Sequence, residues 1–248
     1  MISVTVICKN EEDNIGECLE SVKWADEIIV VDSFSADRTV EIARRYTDKV
    51  FRKEWEGFAK QRAYALSLAN GDWVFPIDAD ERCTPELMGE IQNLMKTAHN
   101  RNGFRIPRRS YFLGRPVRHS GWYPDYQMRF FRKDMAKVTP RDVHEGYEVE
   151  GKTGMIKSSL LHFTVSTIQD YTRKINHYSS LQAIDKAKKK KIGFYDLFFR
   201  PVSSFLRQFL VKSAYRDGIT GLMITFFDVF TNALTYMKAW EIQNREKD

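Results

Sequence analysis

Trp73-Val74-Phe75-Pro76-Ile77-Asp78-Ala79-Asp80-Glu81 joins a short apolar run to three acids within four positions. Bounded by Gly71-Asp72, the run reads as a strand buried on both faces, and such strands belong in the middle of parallel sheets. Open α/β sheets place ligands at the carboxyl ends of their strands, so Asp78 and Asp80 emerge from the core at the expected site. Alternate strand residues face the same side, and two such carboxylates can share one divalent cation. A plainer reading makes these acids a solvated loop before a helix capped by Thr84-Pro85-Glu86. That cap needs no acids at 78 and 80.

The chain upstream repeats one unit. Ser3-Val4-Thr5-Val6-Ile7-Cys8 is a β-branched strand. Asn10 then serves as N-cap, with acids in the first turn, for a helix carrying Ile15, Leu19 and Val22 and running to about Trp24. Glu27 to Val31 is a second strand ending in Asp32-Ser33. Ser35 and Asp37 cap the next helix, whose core candidates are Val40, Ile42, Ala43 and Tyr46. A brief strand over 49–52 and a helix from Gly57 to Asn70, with Phe58, Tyr64, Leu66 and Leu68, lead to the Asp78 strand. Alternation at this spacing argues for a right-handed, mostly parallel α/β sheet flanked by helices. Lys9-Asn10-Glu11, Asp32-Ser33 and Asp78-Ala79-Asp80 all fall on one edge of it. No G-x-G-x-x-G and no P-loop motif is present.

Composition agrees with a globular chain: 43% hydrophobic and 29% charged residues over 248 positions exclude a disordered polymer. The net charge of +6 points to an anionic partner. Three cysteines, Cys8, Cys18 and Cys83, lack metal-ligand spacing, so reduced thiols in the cytosol are expected. Met1 leads directly into a strand, without a basic and apolar leader.

Val6-Ile7-Cys8-Lys9-Asn10-Glu11-Glu12, then Ile29-Val30-Val31-Asp32-Ser33-Phe34-Ser35-Ala36-Asp37-Arg38-Thr39, then Asp78-Ala79-Asp80-Glu81 together resemble the family 2 glycosyltransferases of GT-A fold. Gly121-Trp122-Tyr123-Pro124-Asp125, Arg129-Phe130-Phe131-Arg132 and Val143-His144-Glu145 extend the likeness toward the lipopolysaccharide core β-1,4-glucosyltransferase subgroup. The resemblance implies a GT-A catalytic domain over 1–165, with a nucleotide-sugar half (1–100) and an acceptor half (101–165), followed by a C-terminal helical extension (166–248). It implies that Asp32 reads the nucleotide base, with Asn10, Glu11 and Ser33 nearby. Arg62 falls where the family places an arginine before Asn, although Ala63 stands in place of that Asn. Asp78 would lie by the ribose and metal, and Asp80 would hold Mg²⁺ or Mn²⁺ against the diphosphate of a UDP-sugar. Hard cations held by one or two carboxylates plus substrate phosphates fit that picture.

Inverting transfer also needs a base for the acceptor hydroxyl. Asp125, Asp142, His144 and Glu145 are candidates, Glu145 first and Asp125 second, because a carboxylate after the arginine-rich strand 127–132 suits the family pattern. His162, at a strand end, could approach the metal. Arg105, Arg108, Arg109, Arg115 and Arg118 form either a solvated basic face or a site for a phosphorylated acceptor. Arg105, Arg109, Trp122 and Tyr123 are the acceptor-side candidates, and no nucleic-acid motif accompanies the charge.

Beyond Gln169 the chain becomes amphipathic and helical. Lys188-Lys189-Lys190-Lys191 precedes an aromatic run, and Gly218 to Met237 carries one charge, Asp228. That stretch has about the 20 residues of a bilayer span, but a central Asp disfavours insertion by roughly 2.5–3.5 kcal/mol. Helices packed on the protein or lying on an anionic membrane surface are expected instead, placing the chain on the inner face of the cytoplasmic membrane with a lipid-linked or lipopolysaccharide-core acceptor. Two other readings stand beside this one: an aspartyl-phosphate phosphohydrolase, which usually has Thr or Val where Arg82 stands, and a non-enzymatic membrane-surface scaffold of the same fold.

Overall fold

A computed structural model describes residues 1–97, 100–139 and 146–245. The N-terminal alternation is realised as β1 (Ile2–Cys8), α1 (Ile15–Val22), β2 (Glu27–Asp32), α2 (Thr39–Ala43), β3 (Val50–Arg52), α3 (Phe58–Leu68) and β4 (Trp73–Asp78). Then follow β5 (Glu81–Cys83), α4 (Pro85–Thr97), β6 (Gly103–Phe112), β7 (Arg115–Pro116), β8 (Asp125–Arg132), β9 (Ala136–Val138), β10 (Tyr147–Val149), β11 (Thr153–Met155) and β12 (Leu160–Val165). The chain ends in α5 (Ile168–Lys189), α6 (Phe194–Leu206) and α7 (Gly218–Arg245). Two compact units result: 1–108 with 125–162, and 109–124 with 163–248.

In the first unit β3, β2, β1 and β4 lie side by side in that order, all parallel. Strand β1 therefore has β2 on one flank and β4 on the other, and chain order reverses between them, which is the topological switch point of an open α/β sheet. Beyond β4 the sheet turns antiparallel through β8 and β6, and β12 pairs antiparallel with β5. The sheet is mixed, with its parallel half carrying the βαβ units. Val4, Val6, Val30, Phe75 and Ile77 fill one face with Ile15, Leu19 and Leu87 of the covering helices, while Ile29, Val31, Val74 and Phe131 fill the other. Burying both faces explains the unbroken apolar run of 73–77. A Cβ at Gly71 would lie 2.8 Å from the backbone at Met1 O and Ser3 N, so only glycine lets the turn before β4 pass the start of β1.

Several local expectations change. Asn10 does not cap α1: the helix begins at Ile15, and Asn10 is left-handed at φ 54°. Asp37 does stand at the start of α2, accepting from the Thr39 amide at 3.0 Å. Helix α3 buries Gln61 and Ala65, while Phe58 is exposed. Thr84 caps α4 as expected, accepting from the Leu87 amide at 3.2 Å. The helical spacing of Leu87, Ile91, Leu94 and Met95 predicts a helix from Glu86 to His99, and His99 lies outside the described residues.

In the second unit α7 packs with α5 and α6. Helix α7 is long and apolar enough to cross a membrane by length and composition, yet it buries Thr220, Thr225, Thr235 and Tyr236. Asp228, the acid in its middle, accepts a short hydrogen bond from Ser204 of α6. Phe112, Val117, Val165 and Ile224 form a small core, with the Trp122 ring edge-on to Phe112 at 6.2 Å.

Candidate active site

The carboxyl ends of β1, β2 and β4 converge by register: Cys8 is opposite Asp32, and Ile7 opposite Asp78. At the β1 end the left-handed turn at Asn10 aims its side chain at the neighbouring loop. Its oxygen accepts from the Ala36 amide at 2.9 Å, and its own amide donates to Ser35 Oγ at 2.8 Å. The Glu11 amide donates to Thr39 Oγ1 at 2.7 Å, and Glu11 Oε2 accepts from Asn14 Nδ2 at 2.9 Å. These contacts tie the β1 and β2 loops into one cradle. Asp32 is fully buried within it, its carboxylate accepting from the Ser35 amide at 3.1 Å and from the Ser35 hydroxyl. Ser33 Oγ accepts from Gln61 Nε2 at 2.6 Å. Burial, reinforced by the nearby charges of Asp32 and Glu11, pushes the Cys8 thiol well above its ordinary range, so it stays protonated beside the cradle.

The β4 end is a charge network. Asp78 Oδ1 lies 3.3 Å from Arg62 Nη2, and Asp78 also accepts from Arg129 Nη2. The same Arg129 nitrogen reaches Glu81 Oε1 at 3.0 Å. Glu81, fully buried at the start of β5, accepts the Asp78 amide at 2.9 Å through its other oxygen. Burial alone would raise the Asp78 carboxyl, but Arg129 and Arg62 outweigh it and hold Asp78 well below the usual carboxylate range. Glu81 moves the other way: burial and the neighbouring Asp78 charge raise it, against the pull of Arg129. Arg129 would lose basicity by burial, but the two acids raise it further. The network is therefore ionised at Asp78 and Arg129 throughout the neutral range.

Asp80 lies outside that network. Its Oδ2 is 3.4 Å from His162 Nε2, brought there by the pairing of β12 with β5. Among the described residues no group of three or more His, Cys, Asp or Glu side chains is placed to hold a metal ion. Among the described residues the donors at this point are the Asp80 carboxylate and the His162 imidazole. The carboxylate fits Mg²⁺ or Mn²⁺, hard cations that take much of their coordination from substrate phosphates and water, and the imidazole can add a nitrogen ligand to Mn²⁺ more readily than to Mg²⁺. Asp78, expected as a second ligand, instead has its carboxylate engaged by two arginines.

Of the base candidates, Asp142, His144 and Glu145 lie outside the described residues. Asp125 opens β8 opposite Arg108. Its Oδ2 accepts from Arg108 Nε at 2.9 Å and its Oδ1 from Gln127 Nε2 at 2.7 Å, so both oxygens are engaged. Arg105 is exposed on β6, on the strand face opposite Arg108. Arg109 and Tyr123 belong to the second unit, where the guanidinium lies over the ring at 6.0 Å. The loop before Gly121 is held by Asp217, which accepts from the Arg118 and His119 amides at 3.1 and 2.9 Å.

The Glycosyl transferase family 2 pattern matches residues 3–149. The chain belongs to that family. Over 253 residues the glycosyltransferase is 32% identical to the lipopolysaccharide core biosynthesis glycosyltransferase LpsC of Rhizobium meliloti (strain 1021), covering 98% of this chain and 92% of that one. It is 30% identical over 261 residues to the uncharacterized glycosyltransferase RT0209 of Rickettsia typhi, covering 100% and 89%. Among solved structures, S. aureus TarS 1-349 in complex with UDP is similar in fold, with a TM-score of 0.50 at 16% identity, covering 100% of this chain and 92% of that one. Membership makes the chain an enzyme and sets aside the phosphohydrolase and scaffold readings.

Three parts of this glycosyltransferase's site were not anticipated: Arg129, Glu81 and the pairing of Arg108 with Asp125. The acid after Asp-x-Asp reads as a loop residue until β5 is seen to pair with β12. Arg129 alternates with Phe130 in a strand where Arg132 looks equivalent, yet Arg132 lies over the Trp73 ring at 4.8 Å while Arg129 is buried. The one available signal was the run of arginines in the strand 127–132 beside an unpaired excess of strand-end acids.

Proposed function

We propose that this glycosyltransferase is an inverting, divalent-cation-dependent hexosyltransferase. It moves a hexose, with glucose the first to test, from a UDP-sugar to a lipid-linked glycan such as the inner core of lipopolysaccharide, at an anionic membrane surface on the cytoplasmic side. One observation carries the donor half: Asn10, Glu11, Asp32, Asp78 and Asp80 fall at the carboxyl ends of β1, β2 and β4, beside the switch point of the sheet. The acceptor half rests on the resemblance to the lipopolysaccharide core subgroup and on the printed role of LpsC.

Asp32, with Asn10, Glu11 and Ser33, forms the base and ribose side of the cradle. Arg62 and Asp78 border the sugar-phosphate side, with Arg129 and Glu81 fixing the Asp78 carboxylate. Asp80 and His162 would hold Mg²⁺ or Mn²⁺, which when bound neutralises charge on the departing diphosphate. Glu145 takes the proton of the acceptor hydroxyl as that oxygen attacks the anomeric carbon, while the bond from that carbon to the diphosphate oxygen breaks and its electrons leave with the nucleotide. Glu145 is preferred to Asp125, because Asp125 would have to give up Arg108 to accept a proton. Arg105, Arg109, Trp122 and Tyr123 are assigned to the acceptor, the arginines for phosphate.

The deciding experiment is a donor screen of the purified chain with Mn²⁺, reading released nucleoside diphosphate. Turnover with a UDP-hexose, abolished in Asp80→Ala, is the expected result. No turnover with any nucleotide sugar, together with unchanged UDP binding in Asp80→Ala, overturns the reading. Glu145→Gln should keep donor binding and lose transfer by orders of magnitude; unchanged transfer moves the base to Asp125.

A further inference from the structure

Helix α6 turns a large aromatic face to solvent. Its inner face is mixed: Leu197 packs against Ala183, Ile192, Tyr236 and Ala239, while Asp196 is buried and accepts from Arg200 Nε at 2.8 Å and from Lys190, and Ser204 donates to Asp228 of α7. Its outer face is aromatic and open. Phe194 is 74% exposed, Tyr195 64% and Phe198 54%, followed along the same stripe by Phe199, Val202 and Leu206. The spacing is helical, and the rings stack on one another, Phe194 on Phe198 at 5.7 Å and Tyr195 on Phe199 at 5.3 Å. A π-helical turn over Arg207–Val211 continues the face with Leu210 and Val211, both exposed. At 1.5 Å per residue the stripe is about 27 Å long. At about 150–250 Å² per aromatic side chain, the four rings alone leave on the order of 500 Å² of apolar surface open, and the aliphatic residues extend it past the largest patch of an ordinary soluble monomer.

Charge decides what covers this face. Lys188, Lys189 and Lys191 are exposed at the end of α5, immediately before α6. Lys186, Lys190 and Arg200 gather around the Tyr236 ring at 4.7, 5.4 and 5.2 Å, where Asp196 is the acid paired with two of them. The far end of the stripe carries Arg207 and Lys212. A second copy of the chain is a poor occupant: a two-fold contact of α6 on α6, parallel or antiparallel, brings cations onto cations. An anionic bilayer matches both features, apolar chains for the rings and phosphates for the cations at both ends.

We infer that α6 with the turn to Val211 is an in-plane membrane helix, its aromatic face entering the acyl boundary of an anionic bilayer and its flanking cations meeting lipid phosphates. This rests on the membrane-surface reading above and narrows it from the whole C-terminal region to α6 as the docking element; α7 packs on α5 and α6 but keeps Ile219, Phe226 and Phe230 exposed.

The test uses the full chain and flotation with vesicles of phosphatidylcholine alone or with one-third phosphatidylglycerol. The wild-type chain should float with the anionic vesicles and much less with the neutral ones. Phe198→Ser with Phe199→Ser should weaken binding at least tenfold. Lys188→Gln with Lys189→Gln and Lys191→Gln should weaken it on the order of 100-fold at low salt, and Met155→Ser, an exposed apolar residue in the first unit, should change nothing. Because Cys8, Cys18 and Cys83 are buried and free, Phe198→Cys offers a single accessible thiol for an environment-sensitive dye, whose emission should shift to the blue on anionic vesicles. Wild-type binding to anionic vesicles with no effect of the Phe198 and Phe199 changes and no dye shift overturns the α6 assignment but leaves the membrane reading. No wild-type binding to either vesicle overturns both. A dimer that Phe198→Ser with Phe199→Ser dissociates would assign the face to a second copy instead.

Discussion

A guanidinium buried between two carboxylates fixes both of them. Arg129 is 4% exposed, and one nitrogen serves Asp78 and Glu81 together. Its Nε has no hydrogen-bond partner among the described residues. Arg129→Met would leave Asp78 with Arg62 and Glu81 with Arg108, at 3.3 and 3.5 Å, as remaining cations, so the cost should fall at or below the roughly 3–5 kcal/mol typical of breaking a buried pair. Urea unfolding at pH 7 measures it, and a loss under about 1 kcal/mol would show that the network does not hold β8 against β4. Lys at this position keeps the charge but not the fork, so Arg129→Lys should recover only part. Adding Glu81→Gln to Arg129→Met should restore part of the loss by removing the repelling charge, giving a coupling measurable in a double-mutant cycle. None of this was visible in the chain, because sequence shows that an arginine is on a strand but not which arginine the strand turns inward. A register shift between Phe104 and Arg105 across from β8 is a tertiary feature that moves that choice by one residue.

At the level of elements, the parallel half of the sheet was legible and the antiparallel half was not. Buried parallel strands are written as apolar runs with helices between them, so β1, β2 and β4 and their carboxyl-end acids followed from the chain. The strand 127–132 was recognised, but its antiparallel pairing with β4 and β6, and that of β12 with β5, joins segments distant in sequence, and β5 is only three residues long. The fold of the parallel half depends on one acid at its amino end. Glu27 accepts from the Asn70 amide at 2.9 Å, from Asn70 Nδ2 at 2.7 Å, and from Ser3 Oγ and Lys49 Nζ, joining β1 and β2 to the turn before β4. Burial would raise this carboxyl, but those hydrogen bonds outweigh it and hold it at about 2, against an ordinary 4.5. A depressed pKa contributes stability that is complete above the unfolded value and lost as pH falls through the folded one. Glu27→Gln should therefore cost about 3 kcal/mol at pH 7, and the gap to wild type should narrow as pH falls from about 4.5 to about 2. Unfolding midpoints in urea at pH 7, 4 and 3 check this; a gap independent of pH would mean that shape, not charge, is what the variant loses.

On the scale of the molecule, the described residues proposed for the donor all lie in the first unit; of those proposed for the acceptor, Arg105 lies in the first unit and Arg109, Trp122 and Tyr123 in the second. The expected boundary near 165 follows a change in composition, whereas residues 109–124 join the C-terminal helices through packing around Phe112 and Val165. Composition changes along a chain are readable; a loop's return to a distant core is not. This arrangement predicts how ligands act on stability. A nucleotide that binds only the folded first unit stabilises by about 2.7 kcal/mol at one hundred times its dissociation constant, and in a domain of this size each kcal/mol raises the midpoint by about 2–4 °C. UDP with Mn²⁺ should therefore raise the first unit's thermal midpoint by about 5–10 °C. Asp80→Ala should remove the part that depends on Mn²⁺ while leaving the small shift from UDP alone, and Asp32→Ala should remove the shift from UDP alone. If Asp80→Ala retains the full Mn²⁺-dependent shift, the cation is held elsewhere, and the pairing of Asp80 with His162 is a structural contact between β12 and the turn after β4.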